Sequence, residues 1–113
     1  MSSFHYPPVT QQLLDEIVKQ ITAVGSPIKI VLFGSRARGD ARSDSDLDLL
    51  VIEDSNLPSY RRAPRYHLAL RGISMPKDII VRTPHEVYEW SAVPNAFVTT
   101  AIREGKVLYE KPA

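Results

Sequence analysis

The stretch GSRARGDARSDSDLD, residues 34–48, decides how this chain of 113 residues folds and where its chemistry sits. The apolar run Ile28-Lys29-Ile30-Val31-Leu32-Phe33 leads into it, and residues 49–52 carry it on as Leu-Leu-Val-Ile. Gly34-Ser35 therefore breaks a strand over 28–33, and residues 35–38 form a short helical turn before Gly39. Asp46-Leu47-Asp48 opens a second strand over 46–53. Alternation along that strand puts Asp46, Asp48, Leu50 and Ile52 on one face and Leu47, Leu49 and Val51 on the other. A strand apolar on both faces over its second half belongs inside a sheet.

Outward from this stretch the pattern is regular. Leu13, Leu14, Ile17, Val18, Ile21 and Val24 recur at three- and four-residue steps, which predicts a helix over 10–24 with Gly25 as a left-handed cap. The basic segment 58–72 is expected to be helical in its second part, with Pro64 in the first turn. Residues 77–82 (KDIIVR) read as a third strand. Thr83-Pro84-His85-Glu86 has the make-up of a capping box with proline at the first helical position, so a helix runs to about Ser91. Pro94 opens another that ends near Glu104 at Gly105, and residues 107–109 add a short edge strand. Trp90, Phe97, Ile102 and Leu108 read as core for this end, and Tyr60, Tyr66, Tyr88 and Tyr109 as packing residues with a polar tip. The fold class is α/β (α+β): one domain over 1–113, with a small mixed sheet flanked by helices.

The chemistry follows from residue types. Asp46 and Asp48 at i and i+2 on one strand project to the same side, and hard carboxylate oxygens suit divalent magnesium. Two such ions can serve the attacking and leaving oxygens of a phosphoryl transfer. A third carboxylate is needed, and Asp78, at the mouth of the strand 77–82 and sharing a face with Ile80, is the candidate if the strands pair in register. Asp78 reads equally as a polar strand opening beside Lys77. Gly34 lets a backbone approach phosphate closely, the Ser35 hydroxyl can donate to it, and Arg36 or Arg38 on the following turn can reach it. A lone Asp-x-Asp is ordinarily solvated charge and a lone Gly-Ser an ordinary turn; their order and spacing carry the signal. Asp40 and Asp44 read as turn residues. His67 and His85 lack companions at ligand spacing, and the arginines at 61, 62, 65 and 71 read as a solvated basic helix face.

Composition narrows the classes. A formal net charge of +1 gives no strong pull toward nucleic acid or a membrane. With no cysteine, disulfides and thiolate metal sites are excluded, which suits a cytoplasmic location. No stretch is long and apolar enough for a membrane span, and the opening MSSFHYPP lacks a signal-peptide pattern.

With these residues in hand, the chain resembles the minimal nucleotidyltransferases of the DNA polymerase β-like superfamily. Their signature is Gly-Ser, ten residues, then Asp-x-Asp, with Arg-Gly inside the interval and Ser before the first aspartate; Gly34-Ser35, Arg38-Gly39, Ser45, Asp46 and Asp48 match it. The closing FVTTAIREGKVLYE, residues 97–110, resembles the end of such domains. The resemblance implies transfer of a nucleoside monophosphate, usually AMP from ATP, to an acceptor hydroxyl. Asp46, Asp48 and Asp78 would bind two magnesium ions (manganese being the alternative), Asp78 would serve as base, and Gly34 and Ser35 would hold the triphosphate. It also implies a partner: many such proteins are antitoxins of a helical HEPN-domain ribonuclease toxin, and some transfer AMP to it. No added acceptor domain is recognisable here, so a second protein or subunit would complete the acceptor site, and exposed C-terminal apolar residues suit a homodimer. Two other readings stay open: a non-catalytic antitoxin acting by contact, and an enzyme acting on a small molecule or nucleic acid end.

Overall fold

The computed structural model describes residues 8–42, 44–93 and 95–112. Its frame is a four-stranded mixed sheet in the order β3-β2-β1-β4, formed by β1 Lys29–Phe33, β2 Leu47–Ile52, β3 Lys77–Arg82 and β4 Lys106–Glu110. β1 runs antiparallel to both β2 and β4, whereas β2 and β3 are parallel. The strand apolar on both faces is thus interior, and the shorter, wetter β4 is an edge.

Helices cover the two faces unequally. On one side α1 (Gln11–Val24) lays Leu14, Ile17 and Ile21 over Ile30, Leu32, Leu47, Leu49 and Val51, with Tyr66 and Leu70 of the α3 region (α3, Pro64–Ala69) completing the layer. Removing each such large aliphatic side chain from water contributes about 1.5–3 kcal/mol. The Thr10 hydroxyl caps α1 by accepting from the Leu13 amide at 3.1 Å. On the other side α5 (Phe97–Glu104) buries Val98 and Ala101 against Val31, Phe33, Leu50 and Ile52. α4 (Pro84–Trp90) has no buried residue and adds only the partly buried Val87 to that layer.

Several expectations hold closely. Thr83 and Glu86 form the full capping box, Pro64 sits in the first turn of α3, and a four-residue α2 (Ser35–Arg38) follows Gly34. Others need correction. Gly25 is extended (φ −147°), not left-handed; it is required because a Cβ there would collide with the Tyr66 hydroxyl. Trp90 and Phe97 are not core: they are 49% and 48% exposed, because α4 and α5 meet the sheet through Val87, Val98, Ala101 and Ile102. Tyr60 and Tyr88 are exposed as well, while Tyr66 is fully buried. The expected start at Pro94 lies outside the described residues; the helix itself begins at Phe97.

The basic segment is only partly a solvated face. Arg62 is buried and donates to Glu86 (2.7 Å), the Leu57 carbonyl (2.9 Å) and the Val81 carbonyl (3.4 Å). Arg65 donates to Glu53, which is buried at the far end of β2 and also accepts from the Tyr66 hydroxyl. A buried carboxylate persists only when paired and hydrogen-bonded, and these two donors meet that need.

Candidate active site

The mouth of the β1–β2–β3 trio gathers the residues singled out by spacing. Phe33, the last residue of β1, stands opposite Asp48 in the antiparallel pair. Asp78, the second residue of β3, stands opposite Asp48 in the parallel pair. Asp48 and Asp78 thus lie side by side on adjacent strands, on the face that α5 covers. Asp46 stands one residue before β2 and is exposed, as is Asp78; Asp48 is half-buried.

Gly34 binds the turn to this trio. Its backbone (φ 74°, ψ −159°) lies where essentially only glycine is found, and a Cβ would strike the Asp48 carboxylate. The amides of Ala37 and Arg38 close onto the Gly34 carbonyl at 3.1 Å, those of Gly39 and Asp40 onto Ser35 at 3.0 and 3.2 Å. The turn is a tight loop laid against the aspartates.

Electrostatics join the three acids. Partial burial pushes the Asp48 carboxyl above its usual range, and the charges of Asp78 and then Asp46 push it further, with Arg38 opposing them. Like charges beside a half-buried carboxylate are what a bound cation relieves, and hard oxygen donors fit magnesium. Among the described residues, no three acidic or histidine side chains are drawn close enough to cage an ion as they stand; the register of β2 against β3 sets Asp48 beside Asp78 in spite of the repulsion among the three charges.

The arginines divide. Arg36 donates through Nε and Nη2 to the Ser45 carbonyl at 3.1 and 3.0 Å, fastening the loop just before Asp46. Arg38 pairs with Asp40 at 3.3 Å in solvent and borders a cavity of about 380 Å³ that opens from Gly34 toward α5. Asp44 pairs with Arg42 at 3.4 Å in solvent, so Asp40 and Asp44 are loop residues as expected. His67 and His85 are exposed; contrary to the expectation that His85 lacks a companion, Glu89 stands one helical turn on, at i+4, and lies 3.6 Å from it in solvent.

That cavity is the part of the site that spacing around 34–48 does not announce. Phe33 and Gly34 form one wall, and Phe97, Thr100 and Glu104 of α5 the other. The signal for it is their recurrence at three- and four-residue steps, one helix face, ending in a carboxylate rather than a core residue.

Comparisons with known proteins bear on the fold that carries these residues. The family model described as polymerase beta nucleotidyltransferase matches residues 14–113. A Methanocaldococcus jannaschii protein with the provisional name protein adenylyltransferase is 29% identical over 86 residues, covering 72% of this chain and 77% of its own. Two solved structures superimpose over 87% of this chain and 73% of theirs. One, a toxin–antitoxin crystal structure with AMP-PNP, has a TM-score of 0.60 at 20% identity. The other, a mutant of the toxin–antitoxin MntA–HpeT with two aspartates changed to glutamate, has 0.61 at 17%. At those identities the likeness is one of fold.

Proposed function

We propose, for a chain that belongs to the polymerase beta nucleotidyltransferase family, that it transfers AMP from ATP to a hydroxyl on a partner toxin of the HEPN type and thereby neutralises it. The observation that carries this reading is the register of β2 against β3, with Asp48 opposite Asp78, and Gly34 pressed against the same carboxylate. The adenylyltransferase name of the archaeal relative and the toxin–antitoxin assemblies among the structural neighbours support the acceptor class.

In this reading Gly34 and Ser35 hold the triphosphate at the turn, and Arg38, on the same turn and bordering the cavity, supplies a positive charge beside it. Arg36 acts through the loop, fixing Asp46 by its grip on Ser45. Asp46, Asp48 and Asp78 would hold two magnesium ions, or manganese in their place, which supply charge neutralisation at the phosphates and polarisation of the acceptor oxygen. The acceptor oxygen bonds to the α-phosphorus as the bond to pyrophosphate breaks, and Asp78, exposed at the mouth, accepts the hydroxyl proton. Among the described residues no helix is long and apolar enough to cross a membrane, and the cytoplasm, where ATP and such a toxin meet, is the proposed location.

A second reading, restraint of the toxin by contact alone, draws on the half-exposed Trp90 and Phe97 beside the site. One experiment separates the two. Labelled ATP, magnesium and the toxin are incubated with wild type and with Asp46→Asn. Labelled toxin with wild type only, and a complex that survives the substitution, is the expected result. An unlabelled toxin that Asp46→Asn neutralises as well as wild type would sink the transfer reading.

A further inference from the structure

We propose that the cavity between the Gly34 turn and α5 is the nucleoside pocket, with Phe97 as the surface on which a purine stacks and Glu104 as an acceptor for a nucleoside donor. This rests on the nucleotidyl-transfer reading and names where its substrate is read.

The argument starts at Gly34, which belongs to two places at once. It abuts Asp48 and it forms part of the cavity wall. A triphosphate gripped at this turn, with its α-phosphate toward Asp48, leaves its nucleoside at the cavity mouth. The volume of about 380 Å³ lies at the lower end of small-molecule sites, which suits one nucleoside and not a protein loop.

The lining suits it too. Phe97 meets Phe33 edge-on, with centroids 5.1 Å apart and planes at 80°. Phe33 is buried, so the Phe97 ring is braced from below while 48% of the residue stays exposed. A braced, half-wet aromatic ring at a cavity wall is a stacking platform for a base. Ala101 between them keeps the floor low, and Glu104 ends the same helix face. An ionised carboxylate only accepts hydrogen bonds, and the nucleoside offers donors from a base amino group or a ribose hydroxyl. The solvent-exposed pair of Glu104 with Arg103 at 3.4 Å is weak enough to be exchanged.

The test is calorimetry of ATP binding, with magnesium, to the full chain and to Phe97→Ala and Glu104→Ala, both changes at exposed residues, with urea midpoints confirming that each variant is folded. Each variant is expected to bind ATP about tenfold more weakly, and wild type to bind UTP about tenfold more weakly than ATP. 2′-Deoxy-ATP and inosine triphosphate identify the donor that Glu104 reads: the analogue lacking it binds wild type weakly and loses nothing further in Glu104→Ala. ATP binding unchanged in both variants overturns the proposal. So does unchanged ATP binding with lost labelling of the toxin, because the cavity then serves the acceptor while the transfer reading stands. Transfer by a wild type that prefers no nucleoside also overturns it, whereas a wild type that binds no nucleotide overturns the transfer reading itself.

Discussion

The two faces of the sheet differ in thickness, and the candidate site lies on the thinner one. The face under α1 and α3 buries a continuous layer around Ile17, Ile21, Leu47, Leu49 and Val51, all with no solvent exposure. Among the described residues, the cluster on the face under α4 and α5 buries six, and its two helices leave Trp90 and Phe97 half in solvent. All three aspartates stand at the mouth of the thin face. One side of each strand is packed to hold position, and the other is left open enough to admit a ligand. Under the proposed function, stability and chemistry would thereby be carried by alternate residues of the same strand.

Asp48 and Leu49 are the sharpest pair for breaking that comparison, being neighbours in β2 that point to opposite faces. Leu49→Ala is expected to cost about 2–5 kcal/mol of unfolding free energy, read from urea denaturation, while the folded fraction keeps its transfer rate. Asp48→Asn is expected to lose transfer by about a hundredfold or more and to keep or gain stability, because it removes one of three repelling carboxylates. Loss of stability in Asp48→Asn matching that of Leu49→Ala would erase the division of labour.

Arg62 sharpens the comparison from the edge of the core. Arg62→Ala leaves Glu86 and two carbonyls without their donor and is expected to cost about 3 kcal/mol. Arg61→Ala, one residue away and exposed, should stay within about 0.5 kcal/mol. Equal effects at the two positions would mean that the buried pair contributes nothing beyond surface charge.

These cases also mark what a reader of the sequence can see. The strand end before Gly34, the turn at 35–38 and the capping box at 83–86 are local, and local residue types specify them; the second strand begins at Leu47, one residue after the expected Asp46. Asp78 is half legible: alternation puts it on a face with Ile80, but only parallel pairing with β2, a long-range event, sets it opposite Asp48. Arg62 is illegible as a buried residue, and Arg65 as the exposed partner of buried Glu53, because Glu86 and Glu53 are remote in sequence and nothing local distinguishes either arginine from Arg61. Gly25 looks like a helix stop, yet its reason is the Tyr66 hydroxyl. Trp90 and Phe97 fail in the opposite sense: helical spacing of apolar residues says which face is apolar, not whether anything covers it.

The thin face should also be soft to substitution. Phe97→Ala, which the proposed pocket makes costly for nucleotide binding, is expected to cost below about 1 kcal/mol of stability, since half of the ring is already wet. Trp90 is the only tryptophan and borders, with Phe97 and Arg82, a second cavity of about 150 Å³. Its emission should therefore shift when nucleotide fills the neighbouring pocket, and a titration that leaves it unmoved would argue that the two cavities are not coupled through Phe97.

The smallest effect concerns pH, and it tests whether the Arg62 anchor ties α4 to the sheet. The hydrogen bond from Arg62 holds the Glu86 carboxyl below its ordinary value of 4.5; burial opposes this, and the Thr83 amide, donating at 2.8 Å, adds to it. A carboxyl whose folded pKa lies below its unfolded one contributes stability that is complete above the unfolded value and is lost as pH falls through the folded one. The contribution of Glu86 is therefore full at neutral pH and fades on acidification below 4.5. Glu86→Gln keeps the shape of the side chain and removes its charge, so it should be less stable than wild type by about 1 kcal/mol at neutral pH. The gap should narrow as urea midpoints are followed from about pH 6 to about pH 3. A gap that stays constant over that range would mean that Glu86 acts through packing, and that the thin face is joined to the core by shape rather than by charge.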